Sequence, residues 1–284
     1  MKKENKKTSH KNLEVLEFYK KLPFNFYSDS KIAIKNIKNF NLFEYYPFLE
    51  KIIQNKNFTV IELGCGVGWF INNLSYNFPN IKAIGVDFNP KSIDFAKSVK
   101  DKLNLNAQFV QEDLFTYNYN NNIDLIVSLG VLHHTNNCLE GIQKIISLKP
   151  RFFMLGLYHK YGRKPFLDYF KNLKEKNKNK SEINQILFEK YKSLDKRNID
   201  EENSKSWFLD QVLHPHETQH TLEEVIKLTS KDYILKSTSI NKFQKFSDHK
   251  ELIVREKSLY DYGLQKIKDE EYYPGFFVNL FEKK

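Results

Sequence analysis

The sequence predicts an α/β fold, an open and mostly parallel sheet with helices on its faces. Three observations lead there. The stretch Val60-Ile-Glu-Leu-Gly-Cys-Gly-Val-Gly-Trp69 opens as an apolar, β-branched run, turns over on Gly64, Gly66 and Gly68, and continues as a helix through Phe70, Ile71 and Leu74. Strand-like runs then alternate with helical patterns as far as Leu157, the rhythm of βαβ units. Acidic residues stand at or near the ends of three successive strands, as Glu62, Asp87 and Asp113. At 284 residues the chain is long enough for one large α/β domain with additions.

Each element has a local reason. Residues 1–12 are polar and charged without periodicity and read as a disordered tail. Leu13, Leu16, Phe18, Tyr19 and Leu22 mark a short amphipathic helix stopped by Pro23. In the aromatic loop that follows, either Phe24 and Phe26 pin the segment to the core or Tyr27 closes over a site as a lid. Ile32, Ile37, Phe40, Phe43 and Tyr46 carry a helical region past Pro47 to about Ile53, so residues 13–56 read as an N-terminal helical lid. The core, residues 57–162, holds strands Thr59–Leu63, Ile81–Val86, Ala107–Gln111, Ile123–Ser128 and Phe152–Leu157. Residues 163–220 break the alternation. They are lysine-rich and helical, with Phe166, Tyr169, Phe170 and Leu173 on one face, and read as a helical cap insertion. Thr221 and Glu224 form a capping box for helix Leu222–Ser230. Strand Tyr233–Ser237, an insertion at about 240–269 with one amphipathic helix, and an apolar strand Tyr273–Phe281 return residues 221–284 to the core.

The glycine spacing separates ligand classes. A dinucleotide loop reads G-x-G-x-x-G and cradles a pyrophosphate, whereas here Glu62 precedes glycines at alternate positions. This E-x-G-x-G-x-G loop resembles the first motif of class I S-adenosylmethionine-dependent methyltransferases. A wider pattern is similar to one bacterial subfamily of methyltransferase-domain proteins: Phe18-Tyr19 with Pro23-Phe24, Leu132-His-His-Thr135, Gly156-Leu-Tyr158, Tyr161-Gly-Arg163, Trp207-Phe-Leu-Asp-Gln211 and His214-Pro-His-Glu217. The chain departs from that pattern at Asn25-Phe-Tyr27, where proline and asparagine are expected before the tyrosine. The resemblance implies a Rossmann-like, seven-stranded sheet whose last strand runs antiparallel between the fifth and sixth. It also implies S-adenosyl-L-methionine as cofactor and S-adenosyl-L-homocysteine as product. Gly64, Cys65, Gly66 and Gly68 would then wrap the methionine half, with Glu62 facing its ammonium end. Asp87, about 20 residues beyond the loop, is placed to accept the ribose hydroxyls, with Phe88 against the adenine ring. Asp113 would accept the adenine amino group, and Leu114 and Ser128 complete the cofactor set.

The segment after the fourth strand bears on the acceptor. It lacks the Asn/Asp-Pro-Pro-aromatic tetrad that holds a planar base nitrogen and carries Leu132-His-His-Thr135 instead, the form of small-molecule methyltransferases. His133 and His134 could take a proton near neutral pH or could simply cap a helix. Ligands bind at the carboxyl ends of strands in open α/β sheets, which makes Tyr158, His159, Tyr161 and Arg163 substrate-binding candidates together with Tyr27. His214, His216, Glu217 and His220 have a metal-ligand composition, but their spacing around Pro215 is no standard zinc pattern and no metal is assigned. They are read as polar recognition with an imidazole or Glu217 as base, or as structure. The base candidates are therefore His214 and His216, then His133, His134 and Glu217.

Composition narrows the partners. The formal charge of +10 calls for a nucleic-acid hypothesis. The lysines, however, are spread among asparagine and glutamate, as on a solvated surface, so nucleic acid is not the expected partner. Two cysteines, Cys65 and Cys138, give no disulfide framework. No apolar run approaches the roughly 20 residues that span a bilayer, so a cytoplasmic protein without membrane insertion is expected. The function expected is methyl transfer to oxygen or nitrogen of a small polar metabolite or sugar. RNA methylation and a noncatalytic Rossmann-like scaffold are the alternatives.

Overall fold

The computed structural model describes residues 10–21, 23–53, 57–177, 182–197 and 199–284. Residues 1–9 of the expected tail, and Leu22 of the first helix, lie outside the described residues. Helix α1 (His10–Lys21) starts before Leu13, so the chain is already helical where composition suggested tail. The region expected as one helical run is three helices, α2 (Ser30–Asn39), α3 (Leu42–Tyr45) and α4 (Phe48–Ile52). The side chain of Asn41 accepts from Phe43 N–H at 3.0 Å and restarts the helix, and Pro47 has no N–H with which to continue one.

The sheet elements follow in order: β1 (Thr59–Leu63), α5 (Trp69–Asn77), β2 (Lys82–Asp87), α6 (Pro90–Lys102), β3 (Ala107–Gln111), β4 (Leu125–Leu129), α7 (Cys138–Ser147) and β5 (Phe152–Tyr158). Three cap helices come next, α8 (Lys160–Lys176), α9 (Ile183–Leu194) and α10 (Glu201–Val212), then α11 (Leu222–Thr229) and β6 (Tyr233–Thr238). The second insertion holds two helices rather than one, α12 (His249–Glu256) and α13 (Leu259–Lys268), before β7 (Phe276–Lys283). The strand order is β3-β2-β1-β4-β5-β7-β6, with β7 antiparallel to both β5 and β6.

Alternation along the strands divides the core into two layers. Ile61, Ile84, Ile126, Phe153 and Leu155 face α7 and α11 through Ile142, Ile145 and Val225. Val60, Ala83, Leu125, Val127 and Met154 face α4, α5 and α6 through Leu49, Ile71, Leu74 and Ile93. Each fully buried side chain of this size contributes about 1.5–3 kcal/mol. The cap has a core of its own in Phe166, Phe170, Leu187, Tyr191 and Phe208. Gly275 joins cap to sheet. Its φ is +72°, and a β-carbon there would overlap the Arg163 backbone at the start of α8.

Candidate active site

The parallel pairing of β1 with β2 brings Glu62 and Asp87 toward the same edge of the sheet. The loop between β1 and α5 turns back at Gly66, whose φ is +50°. The Gly66 N–H donates to Asp87 Oδ2 at 2.8 Å, while the Asn89 N–H donates to Oδ1 at 2.8 Å. A β-carbon at Gly66 or Gly130 would meet nothing within 4 Å, so these turns present bare backbone to open space. Glu62 is buried, with Oε2 unpartnered. Burial and the Asp87 charge push its carboxyl well above the usual range, and burial pushes Asp87 up to about 6. Two desolvated carboxyl groups beside turns of open backbone suit a cationic ligand that carries hydroxyls. Cys65 is buried beneath the loop, where burial raises its thiol far from reactivity.

The remaining cofactor candidates have varied surroundings. Ser128 is fully buried and donates to the Leu63 carbonyl at 3.0 Å, tying β4 to β1. Asp113 Oδ1 accepts from the Phe115 N–H at 3.0 Å. Leu114 belongs to the core. Phe88 is half-buried beyond the end of β2.

A second group of polar residues gathers beyond β4 and β5. The 3₁₀ turn Leu132–His134 meets the segment after α10, with Thr218 N–H donating to the His133 carbonyl at 2.8 Å. His134 Nδ1 lies 2.9 Å from the His216 carbonyl, and His216 Nε2 lies 2.8 Å from the Thr135 carbonyl. A carbonyl only accepts, so both of these nitrogens are assigned the proton. By the same logic His214 carries its proton on Nε2, because its Nδ1 accepts from the His216 N–H at 3.1 Å. Ring centroids are 3.7 Å apart for His134 and His214, 4.3 Å for His133 and His134, and 4.2 Å for His133 and Tyr158. Four ring nitrogens in this cluster are buried without partners, both of His133 and the Nε2 of His134 and His214. Burial depresses all three imidazoles, His134 to about 4 and His214 to about 3, and keeps them uncharged at neutral pH.

Asp210 of α10 closes the cluster. It accepts from the Tyr19 hydroxyl and, at 3.4 Å, from the Tyr158 hydroxyl, and its Oδ1 lies 3.7 Å from His134 Nε2. Tyr19 also accepts at its carbonyl from Asn89 Nδ2 at 3.2 Å, so α1 spans the glycine-loop side and the histidine side. Neither Tyr19 nor Asp210 is among the site residues drawn from the sequence. Their signal lies in the Phe18-Tyr19 and Trp207-Phe-Leu-Asp-Gln211 runs, quoted there for resemblance alone.

Other candidates face structural partners. Arg163 is fully buried, donates to Glu217 at 3.0 and 2.6 Å and to the Gln211 and Pro274 carbonyls, and stacks 3.8 Å over the Tyr158 ring. The guanidinium holds the Glu217 carboxyl below its usual range. His159 caps α8, its Nδ1 accepting from Tyr161 and Gly162 N–H groups at 3.2 Å, and its Nε2 lies 2.9 Å from Glu256. Tyr161 is half-buried at that helix start. Tyr27 accepts from Asn36 at 3.0 Å and packs with Ala33, Ile37 and Val99. His220 bridges Thr218 and Glu224 at 2.9 and 2.8 Å. Among the described residues, no three His, Cys, Asp or Glu side chains converge as a metal ion would need.

Residues 54–183 match the family model described as a methyltransferase domain. Over those residues the chain carries a methyltransferase domain. A malonyl-[acyl-carrier protein] O-methyltransferase of Ilyobacter polytropus is 30% identical to it over 149 residues, 48% of this chain and 56% of that protein. The chain thus spans little more than half the length of that curated relative. Among solved structures, PKMT2 from Rickettsia typhi in complex with AdoHcy superposes with a TM-score of 0.57 at 13% identity, over 80% of this chain and 49% of that one. Magnesium protoporphyrin IX methyltransferase (ChlM) from Synechocystis PCC 6803 with bound SAM gives 0.52 at 12% identity, over 99% and 100%. These likenesses show the methyltransferase fold, including the antiparallel seventh strand between β5 and β6.

Proposed function

We propose that the protein is an S-adenosylmethionine-dependent methyltransferase that passes a methyl group in line to an oxygen or nitrogen of a small polar metabolite or sugar. The observation that carries this reading is the pairing of two half-sites through Tyr19. On one side, Glu62, Asp87 and the bare Gly66 backbone would hold the cofactor, Asp87 accepting from its ribose and Glu62 facing its positive end. On the other, an uncharged polar wall of His133, His134, His214 and Tyr158 would face the acceptor. The cofactor supplies an already activated methyl group. The residues of this chain then have to align a nucleophile, exclude water and receive a proton. The malonyl and porphyrin groups named for two of the relatives are small, which supports a small acceptor.

Isothermal titration with S-adenosylhomocysteine tests the reading. Binding to the wild type, lost by at least about tenfold in Asp87→Ala, is expected, a tenfold loss being about 1.4 kcal/mol. No binding by the wild type would leave a scaffold. Tight RNA binding that falls steeply with salt would transfer the assignment to RNA.

A further inference from the structure

We propose that His133, His134, His214 and Asp210 form the acceptor subsite, that it selects a neutral nucleophile bearing a proton, a hydroxyl or an amine, over a carboxylate, and that Asp210 takes that proton. The inference rests on the methyl-transfer reading above and deepens it.

The hydrogen-bond inventory gives the first reason. His134 turns a bare Nε2 lone pair toward Asp210, 3.7 Å away. His214 is left with an unpartnered Nε2–H, and both ring nitrogens of His133 are unpartnered. A buried donor or acceptor left unsatisfied is costly, so four of them in neighbouring rings describe a place built for a polar group. A hydroxyl or amine can donate to Asp210 or His134 and accept from His214 or His133. A carboxylate can only accept, and would face the Asp210 charge and the His134 lone pair.

Charge gives the second reason. Among the described residues Arg163 is the one buried Lys or Arg, and its guanidinium is occupied by Glu217 and two backbone carbonyls. Among the described residues no buried cation is therefore left for an anionic acceptor. The Tyr19 hydroxyl already shows what Asp210 accepts, an O–H aimed at Oδ1.

Asp210 is also the acid whose proton affinity the site strengthens. Burial weakens the three imidazoles as bases, and Arg163 holds Glu217 low, whereas burial raises Asp210. In the step, the acceptor's lone pair forms the bond to the methyl carbon while the methyl–sulfur bond breaks and leaves its electron pair on sulfur. The acceptor's proton passes to an Asp210 oxygen. The carboxylate's negative charge and the sulfonium's positive charge vanish together, leaving a methylated acceptor, a neutral thioether and a carboxylic acid.

Two measurements test this. In ¹⁵N NMR of the histidine rings at neutral pH, His134 is expected protonated on Nδ1 and His214 on Nε2, and an imidazolium or the opposite tautomer at either would overturn the pattern. In the second, the full chain is incubated with methyl-labelled S-adenosylmethionine and a low-molecular-mass cell-extract pool. Alkali-stable label is expected, as ethers and methylamines give. Asp210→Asn should lower it about 100-fold or more, the contribution of a general base, with S-adenosylhomocysteine affinity within about twofold of wild type and partial rescue by Asp210→Glu. Label released by mild alkali as methanol, label unaffected by Asp210→Asn, or no label despite S-adenosylhomocysteine binding would each overturn the proposal. Failure of the wild type to bind S-adenosylhomocysteine is a separate result, and it would bring down the methyltransferase reading itself.

Discussion

At the scale of single residues, charge is kept where it can be satisfied. Arg163 and Glu217 meet through two short hydrogen bonds in a buried place. Removing one partner leaves the other charged and dry, so Arg163→Met is expected to cost about 3–5 kcal/mol in urea unfolding. The double variant with Glu217→Leu should recover much of that loss. Asp87 carries a pH dependence of two signs. Its folded value of about 6 exceeds the ordinary 3.8, so in the ligand-free protein the native state holds this proton more tightly than the unfolded chain. This group's contribution to stability therefore falls as pH rises from about 4 through about 6. Cofactor binding as proposed would run the other way, because ribose hydroxyls would donate to the carboxylate. Calorimetric affinity for S-adenosylhomocysteine is expected to weaken as pH drops through about 6, and an affinity flat across that window would take Asp87 out of the site.

At the scale of elements, two joints decide how the site is closed. Gly275 lies against the Arg163 backbone with a positive φ. Gly275→Ala adds both overlap and strain and should destabilise by about 3 kcal/mol or more, read as a lower denaturant midpoint. Helix α1 is held to the rest of the molecule by Tyr19 and by Asn12, whose side chain accepts from the Asn136 N–H at 3.0 Å. Tyr19→Phe removes a hydrogen bond to a carboxylate, typically about 1.5–3 kcal/mol. Hydrogen exchange should quicken in α1 while β1, β4 and β5 keep their protection. The same elements show why Asp210 could not be read from the chain. The buried residues of α10 include Asn203, Ser204, Ser206, Asp210 and Gln211, so the face turned inward is largely polar. A periodicity of apolar residues, the main signal for a packed helix face, is blind to that arrangement. His159 and Glu256 likewise meet across two insertions, and no local spacing foretells such a contact.

At the scale of the whole molecule, the sheet was the legible part because its signals are local. The β-branched runs, the glycines after β1 and the acids at strand ends each act within a few residues of themselves, and they marked β1, β2 and β3 to within a residue or so. The order of β7 and β6 came with the family resemblance, since no local feature sets which edge a late strand joins. A ligand held by so much of this framework should stabilise all of it. At about 100 times its dissociation constant, S-adenosylhomocysteine is expected to add about 2.7 kcal/mol. Scanning calorimetry should show the melting midpoint rising by several degrees, and the rise should vanish in Asp87→Ala.

The cap's private apolar centre, Phe166, Phe170, Tyr191 and Phe208, has a bearing on descent. Because α8, α9 and α10 settle around one another, exchanges among them touch the donor half chiefly through the Tyr19–Asp210 contact. On the function proposed above, a lineage could thus retool the acceptor side, Asp210 included, while inheriting the donor side. Chimaeras that swap residues 160–212 between homologues would be the laboratory version of that history.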